Sequence, residues 1–168
     1  MNESLRIAVV SHAYNNVETI KSLKALAEHA DVFLLAPARH RALVFEEAGL
    51  PPVEHAQLHV RALRYRKLWG GQYLLRGLKE ALKQAAPSII IVEYDPWSIL
   101  FHQVAHVADA VAPAARIVVA VKKNTYRRLQ LIPRVGKRLL AEAGLRRTAH
   151  VIAASQRSKD LYLREFFQ

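Results

Sequence analysis

The chain contains no cysteine, one methionine, and no glycine before Gly49. Without cysteine there is neither a disulfide nor a thiolate metal site, and nothing marks the redox compartment. Without an early glycine, the first strand–helix turn cannot carry the G-x-G-x-x-G sequence that lets a backbone approach a pyrophosphate, and no Walker A sequence occurs elsewhere. No cofactor and no metal are therefore expected. Apolar runs are short: the longest, such as Ile117 to Val121, reach about five residues, against the roughly 20 that cross a bilayer. The opening MNESLRIAVV has no basic leader or cleavage site, so no secretory signal is expected and a cytoplasmic location is the default. Acids are scarce, 14 Asp and Glu against 25 Lys and Arg, for a formal net charge of +11.

The basic excess is clustered. Residues 61–67 (RALRYRK) hold Arg61, Arg64, Arg66 and Lys67, and the stretch from Lys122 to Arg138 has seven basic residues and no acid. Such fields attract phosphate, whether on a nucleotide-linked substrate, a lipid or a nucleic acid. Solvated faces that keep the protein soluble are the plain alternative for each cluster.

With 52% hydrophobic residues in 168, the chain is long enough for one sizeable core and is expected to be a single domain spanning 1–168. Continuous apolar runs at 5–12, 31–37, 88–93 and 116–122 read as buried strands, and 150–155 as the last strand. Residues 57–64 alternate instead, as expected of a sheet edge. Helical spacing follows strand 1 (Val17, Ile20, Leu23, Leu26, Ala30). It recurs before Pro87 (Leu74, Leu75, Leu78, Ala81, Leu82, Ala85), after strand 4 (Leu100, Phe101, Val104, Ala108, Val111), and over 129–145. HRALVFEEAG (40–49) suggests a short helix ahead of Pro51 and Pro52. Strands and helices thus alternate six times. They predict a Rossmann-like three-layer α/β/α sandwich of about six mostly parallel strands in the order 3-2-1-4-5-6.

In such sheets ligands lie beyond the carboxyl ends of the strands, where the order reverses. The loop after strand 1 offers Ser11, His12, Tyr14, Asn15 and Asn16, and contains no acid, unlike a receiver domain. The loop after strand 4 offers Glu93, Tyr94, Asp95 and Trp97; the loop after strand 5 offers Lys122, Lys123 and Asn124. If the chain stays extended, Glu93 and Asp95 point to one side about 7 Å apart and form a candidate acid–base or hydroxyl-binding pair, with His12 as a further acid–base group. Two alternatives stand beside this. Asp95–Pro96 reads as a helix N-cap with proline at the first helical position, and Glu93 as a rim carboxylate paired with Lys122 or Lys123. Trp97 and Trp69 stack on a sugar or simply pack. His102 and His106 share a helix face, without a third metal ligand nearby in sequence.

Several stretches resemble, in order and spacing, the N-terminal domain of a family 4 (group 1) GT-B glycosyltransferase. They are RIAVVSHAYNNVETIKSLKALAEHADVFLLAP, PSIIIVEYDPWSILFHQVA with its acid–Pro–aromatic–Ser sequence, VKKNTYRR, and AHVIAASQRSKDLYLREFF. The resemblance covers nearly the whole chain. It implies the acceptor-binding half of a two-domain enzyme that transfers a sugar, with retention, from a nucleotide-sugar donor to a glycan or lipid-linked acceptor. The donor would be held mainly by a C-terminal half that this sequence lacks. It further implies that Glu93 and Asn124 orient the acceptor, that Ser11 and His12 lie near the reacting sugar, and that Tyr14, Asn15, Tyr94, Trp97, Lys122 and Lys123 line the substrate. Where many family members carry a histidine after strand 4, Tyr94 is the nearest match, and SHAYNN replaces a Gly-rich loop. The basic clusters would add contact with lipid phosphate or an anionic inner membrane face. Two further readings are a binding module using its basic face on RNA, protein or membrane, and a small enzyme acting on a phosphorylated metabolite through His12 and Glu93. No aromatic platform or motif for nucleic acid is present, so none is expected as a partner.

Overall fold

The computed structural model describes residues 4–12, 17–38, 55–68, 72–121 and 131–166. Six parallel strands form one sheet: β1 (Arg6–Val10), β2 (Asp31–Pro37), β3 (Leu58–Leu63), then, after a hairpin, β6 (Ile89–Val92), β7 (Arg116–Val121) and β8 (His150–Ala153). Their order is β3-β2-β1-β6-β7-β8, the reversal that a Rossmann-like sandwich requires. The expected sequence of six sheet strands is met, with β3 at an edge as its alternation implies.

The helices are α1 (Val17–Ala27), α2 (Leu78–Ala85), α3 (Ile99–Val111), α4 (Leu131–Leu145) and α5 (Gln156–Phe166). Side chains alternate across a strand, so β1 feeds two cores. Ala8 and Val10 join the layer under α2 and α3, with Ile90, Val92, Phe101 and Val119. Ile7 and Val9 join Ile20, Leu23, Ala27, Val32 and Leu34 around α1. Burial on both faces explains why these strands read as unbroken apolar runs. Phe101, with no exposed surface, contributes about 1.5–3 kcal/mol by leaving water. Among the described residues no helix is long and apolar enough to cross a membrane.

Two sequence expectations are corrected. Leu74 and Leu75 belong to a strand, not to the helix before Pro87: β4 (Tyr65–Lys67) and β5 (Tyr73–Leu75) form an antiparallel hairpin separate from the main sheet. Gly77, at φ 77°, separates that hairpin from α2, whose buried row is Leu78, Ala81, Leu82 and Ala85. Glycine enters this left-handed conformation without the Cβ penalty. The second concerns Asp95, which does not cap α3. The Asp95 carbonyl accepts from the Ser98 amide at 2.8 Å, closing a turn with Pro96 at the position where proline's fixed φ is favoured. Ser98 is the cap, its Oγ accepting from the Phe101 amide at 3.1 Å. The helix suggested at 40–49 lies outside the described residues.

Candidate functional site

The register places Val10 beside both Leu35 and Val92, so Ser11 and Glu93 emerge as neighbours just beyond the strand ends. Their backbones are laced across the reversal point: the Glu93 amide donates to the Val10 carbonyl at 3.0 Å, and the Ser11 amide to the Leu35 carbonyl at 3.2 Å. Ser11 is fully buried, and its hydroxyl donates to Glu93 Oε2 at 2.6 Å. A buried hydroxyl needs such a partner. In return it fixes one carboxylate oxygen of a half-exposed acid. The carboxylate is thereby held at the crevice as an acceptor that could receive a hydrogen bond or proton from a ligand hydroxyl.

His12 lies over the next residue of the opposite loop, its ring 4.9 Å from that of Tyr94. The Tyr94 hydroxyl is hydrogen-bonded to that of Tyr73 on β5. Tyr73 in turn meets Tyr65 edge-on at 5.8 Å. Burial pushes the Tyr94 phenol far above its ordinary value, with the charges of Tyr73 and Glu93 adding to the shift. Burial also raises Tyr73. Both phenols therefore stay protonated and form a hydrogen-bonding wall rather than an ionisable pair.

The hairpin is bolted to the same loop at two further points. Gln103 of α3 accepts from the Leu75 amide at 2.9 Å and donates to the Leu75 carbonyl at 2.7 Å, behaving like a neighbouring strand. Gln72 accepts from the Ile99 amide at 3.0 Å, beside the cap of α3. On the other side α4 presses close: a Cβ built on Gly144 would lie 2.4 Å from the Pro96 carbonyl oxygen.

Not every expected residue joins this group. β6 ends at Val92 and residues 95–98 turn, so the extended geometry that would align Asp95 with Glu93 does not hold. Asp95 instead faces α5, where its charge adds to burial in raising the Tyr162 phenol. Trp97 is half-buried against the core beneath α2 and α3. The Lys137 ammonium sits 3.8 Å from its ring centroid, a cation–π contact that occupies one indole face a sugar would otherwise use. The Trp97 indole nitrogen is buried with no hydrogen-bond partner among the described residues. His102 is half-buried and His106 exposed on α3. Tyr14, Asn15, Asn16, Trp69, Lys122, Lys123 and Asn124 lie outside the described residues.

Tyr73, Tyr65 and the two glutamines escaped the sequence reading. The only local signal was the Gly70–Gly71 turn pair, because Lys67 and Leu74 break the apolar–polar alternation on either side of it. An apolar groove of about 560 Å³ lies elsewhere, between β8, α4 and α5, lined by residues including Val121, Leu145, Val151 and Leu163. Its polar lining is Ser155, Gln156, Lys159 and the buried Tyr162, and it lies on the β7–β8 side of the sheet, away from the reversal point between β1 and β6. No family model matches the chain, and no curated protein matches it by sequence.

Proposed function

We propose that this chain is the acceptor-binding domain of a retaining glycosyltransferase of the two-domain GT-B type, taking a glycan or lipid-linked acceptor in the crevice between β1 and β6. The observation that carries this reading is the Ser11–Glu93 hydrogen bond at the reversal point of the sheet. It leaves a fixed carboxylate beside a protonated tyrosine wall, a mix of acceptor and donors suited to sugar hydroxyls. The ordered resemblance of the whole chain to that domain supports it as well.

In this reading Glu93 accepts a hydrogen bond from the acceptor hydroxyl, Ser11 orients Glu93, and His12 and Tyr94 border the sugar. Retaining transfer requires the acceptor oxygen on the same face of the donor sugar as the departing phosphate. Holding the acceptor rigidly lowers the barrier by up to roughly 7–11 kcal/mol, without a covalent step. Lys122, Lys123, Asn124, Tyr14 and Asn15 complete the acceptor side in this proposal. In this reading the nucleotide-sugar donor is held mainly by the second domain of the GT-B pair. Peripheral contact with an anionic membrane through the basic stretches 61–67 and 122–138 belongs to the same reading, and its signature is liposome binding that weakens as salt rises.

The test is a glycan and glycolipid array probed with the labelled chain and with Glu93→Gln. The expected result is capture of a carbohydrate class with about tenfold weaker binding in the variant. Equal binding by both proteins, or no carbohydrate bound by either, would overturn the proposal.

A further inference from the structure

The hairpin that pins the mouth carries a charge arrangement that its folding does not explain. β4 and β5 pair Tyr65 with Leu75, Arg66 with Leu74 and Lys67 with Tyr73. The ladder continues through the Arg76 amide, which donates to the Arg64 carbonyl at 2.7 Å, so Arg64 stands opposite Arg76. Directly opposed residues share a face, and residues two apart along a strand share it too. Tyr65, Tyr73 and Leu75 take the inner face, packed on the core. Arg64, Arg66 and Arg76 take the outer one together with the half-buried Leu74, and all three arginines are exposed.

Arg64 and Arg76 thus face each other at a Cα separation of about 5.5 Å, the spacing of a hydrogen-bonded pair, with Arg66 roughly 7 Å along the strand. Like charges directly opposite destabilise a strand pair. Among the described residues none of the three has an ion-pair partner. Other cations of the chain do find partners: Arg138 bonds Glu142 at 3.1 Å, and Arg147 pairs with Asp109. The hairpin accepts self-repulsion at the one place where it is also anchored most firmly, through Tyr73–Tyr94, Gln72–Ile99 and Gln103–Leu75.

We propose that the Arg64–Arg66–Arg76 face is a binding site for a phosphate group, a phosphomonoester or diphosphate, beside the β1–β6 mouth. Guanidinium forks match phosphate oxygens bidentately and stay charged at all working pH values. Three of them on one face of a two-stranded ribbon present such a fork array from a backbone that is already fixed. A bound dianion would remove the cross-strand repulsion, so binding and hairpin stability are coupled: the ligand stabilises the folded chain. The site does not depend on sugar transfer at the mouth and would serve a binding module equally.

Two probes distinguish where the phosphate comes from. Inorganic pyrophosphate, followed by calorimetry and by thermal unfolding, reports a soluble phosphate; phosphatidylcholine vesicles with and without phosphatidic acid report a lipid monoester. Saturable binding of either supports the site and names its source. Arg64→Gln/Arg66→Gln/Arg76→Gln should weaken that binding by about tenfold or more for each fork that engages, and should lose the ligand-induced rise in Tm. The triple Arg→Lys variant, which keeps charge but not the fork, should recover only part of it. Arg157→Gln/Lys159→Gln/Arg164→Gln removes equal charge from exposed positions on α5 and should bind like the parent. Because the three hairpin arginines are exposed and repel one another, their Gln variant should unfold no earlier than the parent at low salt, so loss of binding is not loss of fold. The proposal fails if neither probe binds, if the α5 variant loses as much as the hairpin variant, or if poly(U) RNA binds through the same arginines more tightly than either probe.

Discussion

Replacing Gly144 by alanine tests the contact on which the mouth loop rests. The added methyl would meet the Pro96 carbonyl oxygen at 2.4 Å, Phe101 Cε1 at 3.0 Å and Pro96 Cβ at 3.1 Å. The first neighbour is backbone and the second is a fully buried ring, so neither gives way cheaply. Overpacking of this kind costs about 1–3 kcal/mol, offset by up to about 1 kcal/mol of better helix propensity. An approach this close to backbone puts the cost at the upper end, about 2–3 kcal/mol, so a net loss of about 1–2 kcal/mol remains, and for a chain of this size each kcal/mol lowers Tm by about 2–4 °C. Gly136, on the same helix, has nothing within 4 Å of its Cβ position, so Gly136→Ala should stabilise by up to about 1 kcal/mol on propensity alone. Urea unfolding followed by circular dichroism measures both. Two variants that shift the midpoint alike, or a Gly144→Ala that is neutral, would refute the close approach of α4 to residues 93–98.

The remaining predictions concern strain and titration. Ala86 ends α2 at φ 39°, a left-handed conformation for a residue with a Cβ; Ala86→Gly should raise stability by about 1 kcal/mol in the same urea assay. Tyr73, Tyr94 and Tyr162 are raised above the ordinary phenol value of 10.0, chiefly by burial. Their folded state favours the proton, so the stability they contribute is present below pH 10.0 and lost as pH rises above it. Absorbance at alkaline pH should show these three ionising only with unfolding; six tyrosines titrating together in the folded protein would contradict this. Burial lowers His102 from the ordinary 6.5, against a raising contact from the Leu140 backbone. Its folded state favours the neutral ring, so stability is present above pH 6.5 and falls as pH drops through the lowered value. His102→Gln should flatten that acid limb, and an unchanged limb would assign it to other groups.

Much of the scaffold could be read from the chain because its information is local. Ile89 to Val92 and Ile117 to Val121 are unbroken apolar runs, the mark of strands covered on both faces, and Leu58 to Leu63 differs as an edge strand should. The hairpin was missed because its strands have three residues each. Leu74 and Leu75 fall in phase with Leu78, Ala81 and Leu82, so the apolar spacing runs on as if the helix began earlier. The cap of α3 was misplaced because Asp95 and Ser98 both belong to the residue types that begin helices, and only the turn through Pro96 decides between them. The mouth itself joins Ser11 to Glu93 across 82 residues. Strand order brought those two loops together in the sequence reading, but no spacing rule names the hydrogen bond between them. Nor does any local pattern announce that Lys137 covers Trp97.

The most direct test of the account is a backbone-amide NMR titration of the chain with the carbohydrate it captures best. Shifts should concentrate at Ser11, His12 and residues 93–95, 97 and 98 and should shrink in Ser11→Ala, which removes the Ser11 hydrogen bond that helps to fix the Glu93 carboxylate. Shifts confined to β3, α1 or the groove between β8 and α5, with those residues unmoved, would contradict the placement of the site at the β1–β6 crevice.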